Sequence, residues 1–167
     1  MAFIEDTTQV YSFADYSDVT NKDSRLFDEN EGLDQSVVED ALVRSTESIL
    51  NQLRSSSWWW DYNQRRGVSS ANRSDTPAVD AKRILSRRND FTDLCVFHTL
   101  YENILPRVAD FGNEDNAERQ KISFYQQKYD SLLNQLITAG DWYDFDGDLE
   151  VSSDELQRGY INPRRIR

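Results

Sequence analysis

Three stretches of the chain space their apolar residues as a helix does, and long polar segments separate them. In the first, Val38, Ala41, Leu42, Ile49 and Leu53 fall at i, i+3, i+4, i+11 and i+15, one face of a 3.6-residue repeat. Ser36 and Glu39 stand at capping-box spacing ahead of that face, so a helix is predicted to about Arg54, ending in serines 55–57. In the second, Phe91, Leu94, Cys95, His98, Tyr101, Ile104 and Leu105 share a face behind Asn89, the expected N-cap, and Pro106 ends or kinks the helix. The third runs from about Glu114 to Ala139 on Ile122, Tyr125, Tyr129, Leu132, Leu133 and Leu136, with Gly140 placed for a left-handed C-terminal cap.

No convincing strand alternation appears. The expected class is therefore all-α: a small antiparallel bundle of three main helices, the second and third packed against each other. Residues 1–33 read as a polar, extended N-terminal arm in which Ser12 and Asp15 cap one short helix over 13–19. The helical domain spans 34–140. Within it, residues 58–79 form a non-helical excursion punctuated by Gly67, serines, Asn72 and Pro77, and 80–88 a short basic helix. Residues 141–167 are an acidic turn followed by a basic, extended C-terminal arm.

Charge sharpens this picture. The net charge of −11 excludes a nucleic-acid binder, which needs a basic face. The acids are not uniform: segment 141–155 has seven carboxylates and no base, and 156–167 has four arginines and no acid. A second basic island, 61–88, holds seven bases against three acids. Such islands suit pairing with acidic patches on neighbours. The single cysteine, Cys95, allows no internal disulfide, and the N-terminus has neither the basic nor the apolar region of a secretory signal. No run is long and apolar enough for a membrane span, so a soluble protein made in the cytoplasm, with no membrane partner, is expected.

One pattern has metal-ligand spacing. Asp144, Asp146, Asp148, Glu150, Ser152 and Glu155 fall on positions 1, 3, 5, 7, 9 and 12 of a calcium-binding loop, with Val151 at the apolar eighth position. Position 6, which takes glycine for its sharp turn, is Leu149, and the incoming helix stops short at Gly140. A weakly held Ca²⁺ and a solvated acidic turn are the two readings. Trp58, Trp59 and Trp60 are consecutive and cannot all face one core, so at least one indole is expected at the surface. With Arg65 and Arg66 they are candidate interface residues. In the arm, Pro163 enforces extension, and Ile161, Arg164, Arg165, Ile166 and Arg167 can dock on a partner. His98, the only histidine, and Cys95 read as packed core residues. No catalytic constellation, phosphate loop or zinc set is present, so no enzyme and no other cofactor is expected.

The order of these elements resembles the head–tail connector (adaptor) proteins of tailed bacteriophages. DQSVVEDALVRSTESILNQLRSSSWW is similar to their first long helix, and NDFTDLCVFHTLYENILPRV with KYDSLLNQLI resembles their central antiparallel pair. The ending YDFDGDLEVSSDE…NPRRIR is similar to their acidic turn and basic terminal arm. The resemblance implies a virion structural protein at the head–tail junction, assembled in the host cytoplasm as a homo-oligomeric ring, commonly twelve-fold. It would sit beneath the portal protein and carry a downstream neck or tail-terminator protein. Double-stranded DNA would pass through a channel whose acidic wall does not bind it. The alternative is a small calcium-binding helical protein using loop 144–155. A host-directed helical protein made during infection is a third reading.

Overall fold

The fold begins with a tight hairpin that one aspartate holds. Strands β1 (Ile4–Glu5) and β2 (Val10–Ser12) pair antiparallel, Ile4 opposite Ser12 and Glu5 opposite Val10. In the turn between them, Asp6 Oδ1 accepts from the backbone N–H of Thr8 (2.6 Å) and Gln9 (2.8 Å) and from the Thr8 hydroxyl, while the Tyr11 hydroxyl donates to Oδ2 at 2.7 Å. Those bonds, the Tyr11 hydroxyl's first, hold the Asp6 carboxyl far below the usual carboxylate range. The computed structural model describes residues 3–29, 32–65, 76–110, 112 and 117–152.

Two short helices follow, α1 (Tyr16–Lys22) and α2 (Ser24–Glu29). Asp15 and Asp18 form a reciprocal capping box at the start of α1, each carboxylate accepting the other's backbone N–H. Ser12 does not cap; its hydroxyl bonds the backbone of Ala14 instead. Phe3, Phe13, Ala14, Val19 and Leu26 are buried, Phe13 between the rings of Phe3 (4.7 Å) and Phe91 (5.5 Å). This corrects the expected extended arm: described residues before 34 are a hairpin and two helices packed into the body. Among the described residues the chain is mostly helical, as expected, with one small two-stranded sheet added by the hairpin.

Helix α3 (Gln35–Ser55) buries the predicted face, Val38, Ala41, Leu42, Ile49 and Leu53, together with Ser45 and Thr46. The expected Ser36–Glu39 box does not form, because the helix starts one residue before Ser36. Asp34 is the N-cap, without a side-chain bond, and Glu39 accepts from the Gln35 amide. Ser56 then breaks the helix with an extended ψ of 155°. Its hydroxyl donates to Leu53 O and accepts from the N–H of Trp59, closing one helix and opening the next. That next helix, α4 (Ser57–Arg65), overturns the non-helical reading of residues 58–65; residues 66–75 lie outside the described set. The expected basic helix over 80–88 reduces to one 3₁₀ turn, Ala81–Arg83.

Helix α5 (Arg88–His98) passes into a π-helical segment, Thr99–Ile104, and then α6 (Leu105–Val108). The N-cap is Arg87 rather than Asn89, in the left-handed region at φ 55°. Its guanidinium is fixed there by Asp141 at 2.7 Å, an anchor for an uncommon backbone conformation. Pro106 neither ends nor sharply breaks the run. Its ring would meet the carbonyl of Glu102 in a regular α-helix, and the wider π turn upstream removes that conflict. Helix α7 (Ala117–Ala139) returns along this run with Tyr125, Tyr129 and Leu136 buried, and Gly140 follows at φ 60° as expected.

The largest buried side chains, Trp58 and Trp142, stack at 4.5 Å where α4 meets the segment after α7. Replacing either with alanine should cost about 3–5 kcal/mol of unfolding free energy in urea titration, whereas Phe124→Ala, on the exposed side of α7, should change it by less than about 0.5 kcal/mol.

Candidate functional site

The acidic segment is not a free tail; Trp142, Tyr143, Asp144 and Phe145 near its start are buried. Trp142 is fully buried, its indole donating to Leu136 O at 2.8 Å and packing on Phe91 at 4.8 Å. Tyr143 bridges to Ile84, and its hydroxyl accepts the N–H of Asp80 at 3.1 Å. Phe145 stacks on Tyr62 of α4 at 3.6 Å and lies 5.4 Å from Trp58. The backbone is zipped to the connector before α5: Leu85 N–H donates to Trp142 O, Asp144 N–H to Arg83 O, and the Arg83 guanidinium to Phe145 O at 2.9 Å.

On this anchor the carboxylates make a self-satisfied turn. Asp144 is 1% exposed, its two oxygens accepting from Gly147 N–H (2.6 Å) and Leu149 N–H (3.1 Å). Asp146 accepts from Asp148 N–H at 3.1 Å, and Asp148 from Glu150 N–H at 2.9 Å. Gly147 turns at φ 86°, where an added Cβ would press on Arg83 at 3.3 Å. Leu149 takes φ 71°, the left-handed geometry that glycine normally supplies, and leaves its side chain 78% exposed. The leucine thus alters the cost of the turn and not its direction.

One oxygen each from Asp144, Asp146 and Asp148 lies within 4.8 Å of the others, so these three could converge on a hard cation. Glu150 is exposed, Ser152 is half-buried, and Glu155 lies outside the described residues.

The interface candidates divide. Trp58 and Trp59 are 2% and 5% exposed, and Trp60 is half-buried. Of the three indoles only Trp60 reaches the surface, and only in part, because α4 is enclosed on two sides. Trp58 meets Trp142 and Phe145, while Trp59 meets Tyr62 and Tyr143 and donates to Pro77 O at 2.7 Å. Trp58 and Trp59 belong to the chain's own core. Arg65 closes α4; Arg66, Ile161, Arg164, Arg165, Ile166 and Arg167 lie outside the described residues. The described bases of the island 61–88 also turn inward. Lys82 donates to Asp6 O, Arg83 to Phe145 O, Arg87 pairs with Asp141 and Arg88 with Glu5. These four pair within the chain.

His98 and Cys95 are both buried, as expected, but the histidine belongs to a polar network that no motif announces. Ser45 Oγ accepts from Thr99 Oγ1 (2.9 Å) and Asn103 Nδ2 (3.1 Å), which occupies both lone pairs. Its own proton must therefore go to His98 Nδ1 at 3.1 Å, and the ring carries its proton on Nε2, donated to Ser48 Oγ at 3.2 Å. Only a neutral imidazole satisfies every partner. Burial lowers the His98 pKa from 6.5, with Glu102 opposing, and Tyr101 and Tyr129 flank the ring. The Cys95 thiol, fully buried against Thr46, is pushed up to about 11. Neither residue is placed for chemistry.

Comparison with protein-family models, with curated proteins and with solved structures gives no match.

The histidine network sets a pH dependence. Because the folded pKa lies below the unfolded one, its contribution is complete above the unfolded value of about 6.5 and is lost as pH falls from there toward the folded value. Urea titrations should show stability dropping across that window, and His98→Gln should flatten this slope. A slope unchanged in the variant would contradict the neutral-ring assignment.

Proposed function

We propose that this chain is a non-enzymatic virion structural protein, a head–tail connector subunit that assembles into a ring, commonly twelve-fold, beneath a phage portal protein. The observation that supports it best is the outer surface of α7. Of its 23 residues Tyr125, Tyr129 and Leu136 are buried, Ile122, Leu132, Leu133 and Ile137 pack partly buried against the same core, and Phe124 is 53% exposed. A helix whose flanking apolar positions are only partly covered and whose Phe124 ring stands exposed suits a subunit whose neighbour completes the burial.

The order of α3, the α5–α6 run and α7 agrees with the order of helices from which the sequence resemblance to such connectors is read. In this reading the ring joins the portal to a downstream neck or tail-terminator protein. Its net charge of −11 lets double-stranded DNA slide past without the counterion release that makes a basic wall adhesive. Its place is the head–tail junction, after assembly in the host cytoplasm. Among the described residues no helix is long and apolar enough to cross a membrane.

Mass spectrometry of purified particles tests the reading: the chain should be present at near portal-like copy number. Its absence from particles would favour a host-directed role instead.

A second reading is favoured by the convergence of Asp144, Asp146 and Asp148 and by Leu149 in a left-handed turn, as a calcium loop requires at its sixth position. Here the turn holds a weakly bound Ca²⁺. Calorimetry on the full chain should then give heat that saturates at millimolar Ca²⁺ and disappears in Asp146→Asn. No heat at that concentration leaves a turn satisfied by its own backbone.

A further inference from the structure

Sustained π-helix is rare, and the segment Thr99–Ile104 is gripped from outside by one hydroxyl of α3. Thr99 and Asn103, near opposite ends of the segment, both donate to Ser45 Oγ, at 2.9 and 3.1 Å. Return to a regular α-helix is barred by Pro106, whose ring would then meet the Glu102 carbonyl. If Ser45 lets go, the segment has no relaxed helical form to fall into.

His98 decides whether Ser45 can hold on. With both lone pairs of Ser45 Oγ taken, its proton goes to His98 Nδ1 at 3.1 Å, and the ring's own proton goes to Ser48 Oγ at 3.2 Å. A proton on Nδ1 sets a third donor against Ser45 and strands the serine's own hydrogen. A charged ring is therefore incompatible with one hydroxyl gripping Thr99 and Asn103 together.

The groups around the ring do not relieve this conflict. From α3 they are Ser45 and Ser48, which carry no charge; from α7, Tyr129 at 5.1 Å; from the π segment, Tyr101 at 5.2 Å and the exposed Glu102; and on α5 the Cys95 thiol lies one turn before. Burial pushes Cys95 up to about 11 and Tyr101 up to about 12, and raises Tyr129 as well, so none of these three ionises near neutral pH. Glu102 alone favours the imidazolium, and burial outweighs it. The other end of α5 is held without this network: Phe91 packs on Phe13 at 5.5 Å and on Trp142 at 4.8 Å.

We propose that the contact between α3 and the π segment is an acid-sensitive latch: when His98 takes up a proton, residues 99–108 come away from α3 while α5 and the end anchored on Trp142 stay folded. The open form accepts the proton freely and the closed form resists it, so opening is favoured as pH falls below about 6.5. The acid response thus belongs to one separable part of the fold, and it holds or fails independently of the connector reading.

Hydrogen exchange of the full-length chain in low urea tests the latch. The Leu105 amide, bonded to Leu100 O across the π turn, reports the segment, and the slowest amides of α5 report the remainder. From about pH 7.5 to about pH 5, Leu105 protection, corrected for intrinsic exchange, should fall roughly tenfold. Its opening should also show a smaller urea dependence than that of the α5 amides, because less surface is exposed. His98→Gln should remove the pH response at Leu105. Should that variant not fold, the His98 ring followed by NMR in the native chain should titrate where the loss of Leu105 protection levels off. Equal opening free energy and urea dependence at Leu105 and in α5 would overturn the latch, since the chain would then open only as a whole. Protection at Leu105 indifferent to pH would overturn it too, as would a pH response that survives in His98→Gln.

Discussion

Everything at one end of this molecule depends on the packing of Trp58 against Trp142. The two indoles lie 4.5 Å apart and are essentially excluded from water, with Phe91, Tyr143 and Phe145 closing around them. Aromatic pairs of this kind contribute about 0.5–1.5 kcal/mol each beyond the area they bury, whereas an exposed ion pair contributes about 0–1 kcal/mol. The half-exposed Arg87–Asp141 bridge therefore refines a position that the rings have already set. Remove the rings, and α4, the connector before α5 and the acidic turn lose their common anchor.

That anchor explains how so acidic a segment stays on the body. Asp144 is tolerated at 1% exposure because its oxygens take two backbone N–H groups and the neighbouring chain is held by Arg83. The described bases from Lys82 to Arg88 are used for this internal fastening, reaching Asp6, Phe145, Asp141 and Glu5.

The parts legible in the sequence are those with sustained periodicity. The faces of α3 and α7, and Gly140 beyond α7, follow from a 3.6-residue repeat and one residue's freedom at positive φ. Strands of two and three residues are too short to show alternation, so the hairpin is announced only by the bonds of Asp6. Helix α4 is hidden by the serines before it and by Gly67 and further serines after it, and its tryptophans look excessive until their partners, 84 residues on for Trp58 and Trp142, are known. The acidic frame is readable; its foundation is not. Seven carboxylates dominate the count in 141–155, while the residues that fix the turn are Trp142, Tyr143 and Phe145 between them. The Ser45–His98 network escapes for the same reason, since its members are joined across 53 residues of chain.

Native-state hydrogen exchange tests the dependence of the acidic turn on the aromatic anchor most directly. The amide of Asp144, bonded to Arg83 O, and those of Gly147 and Leu149, bonded to the Asp144 carboxylate, report the turn; the amides of α5 report the core. If the turn is part of the core unit, the Asp144 amide should open with a free energy within about 1 kcal/mol of the slowest α5 amides. In Trp58→Leu the turn amides should lose protection before α5 does. Fast exchange of the Asp144 amide in the unmodified protein, unaffected by the change at Trp58, would contradict the account.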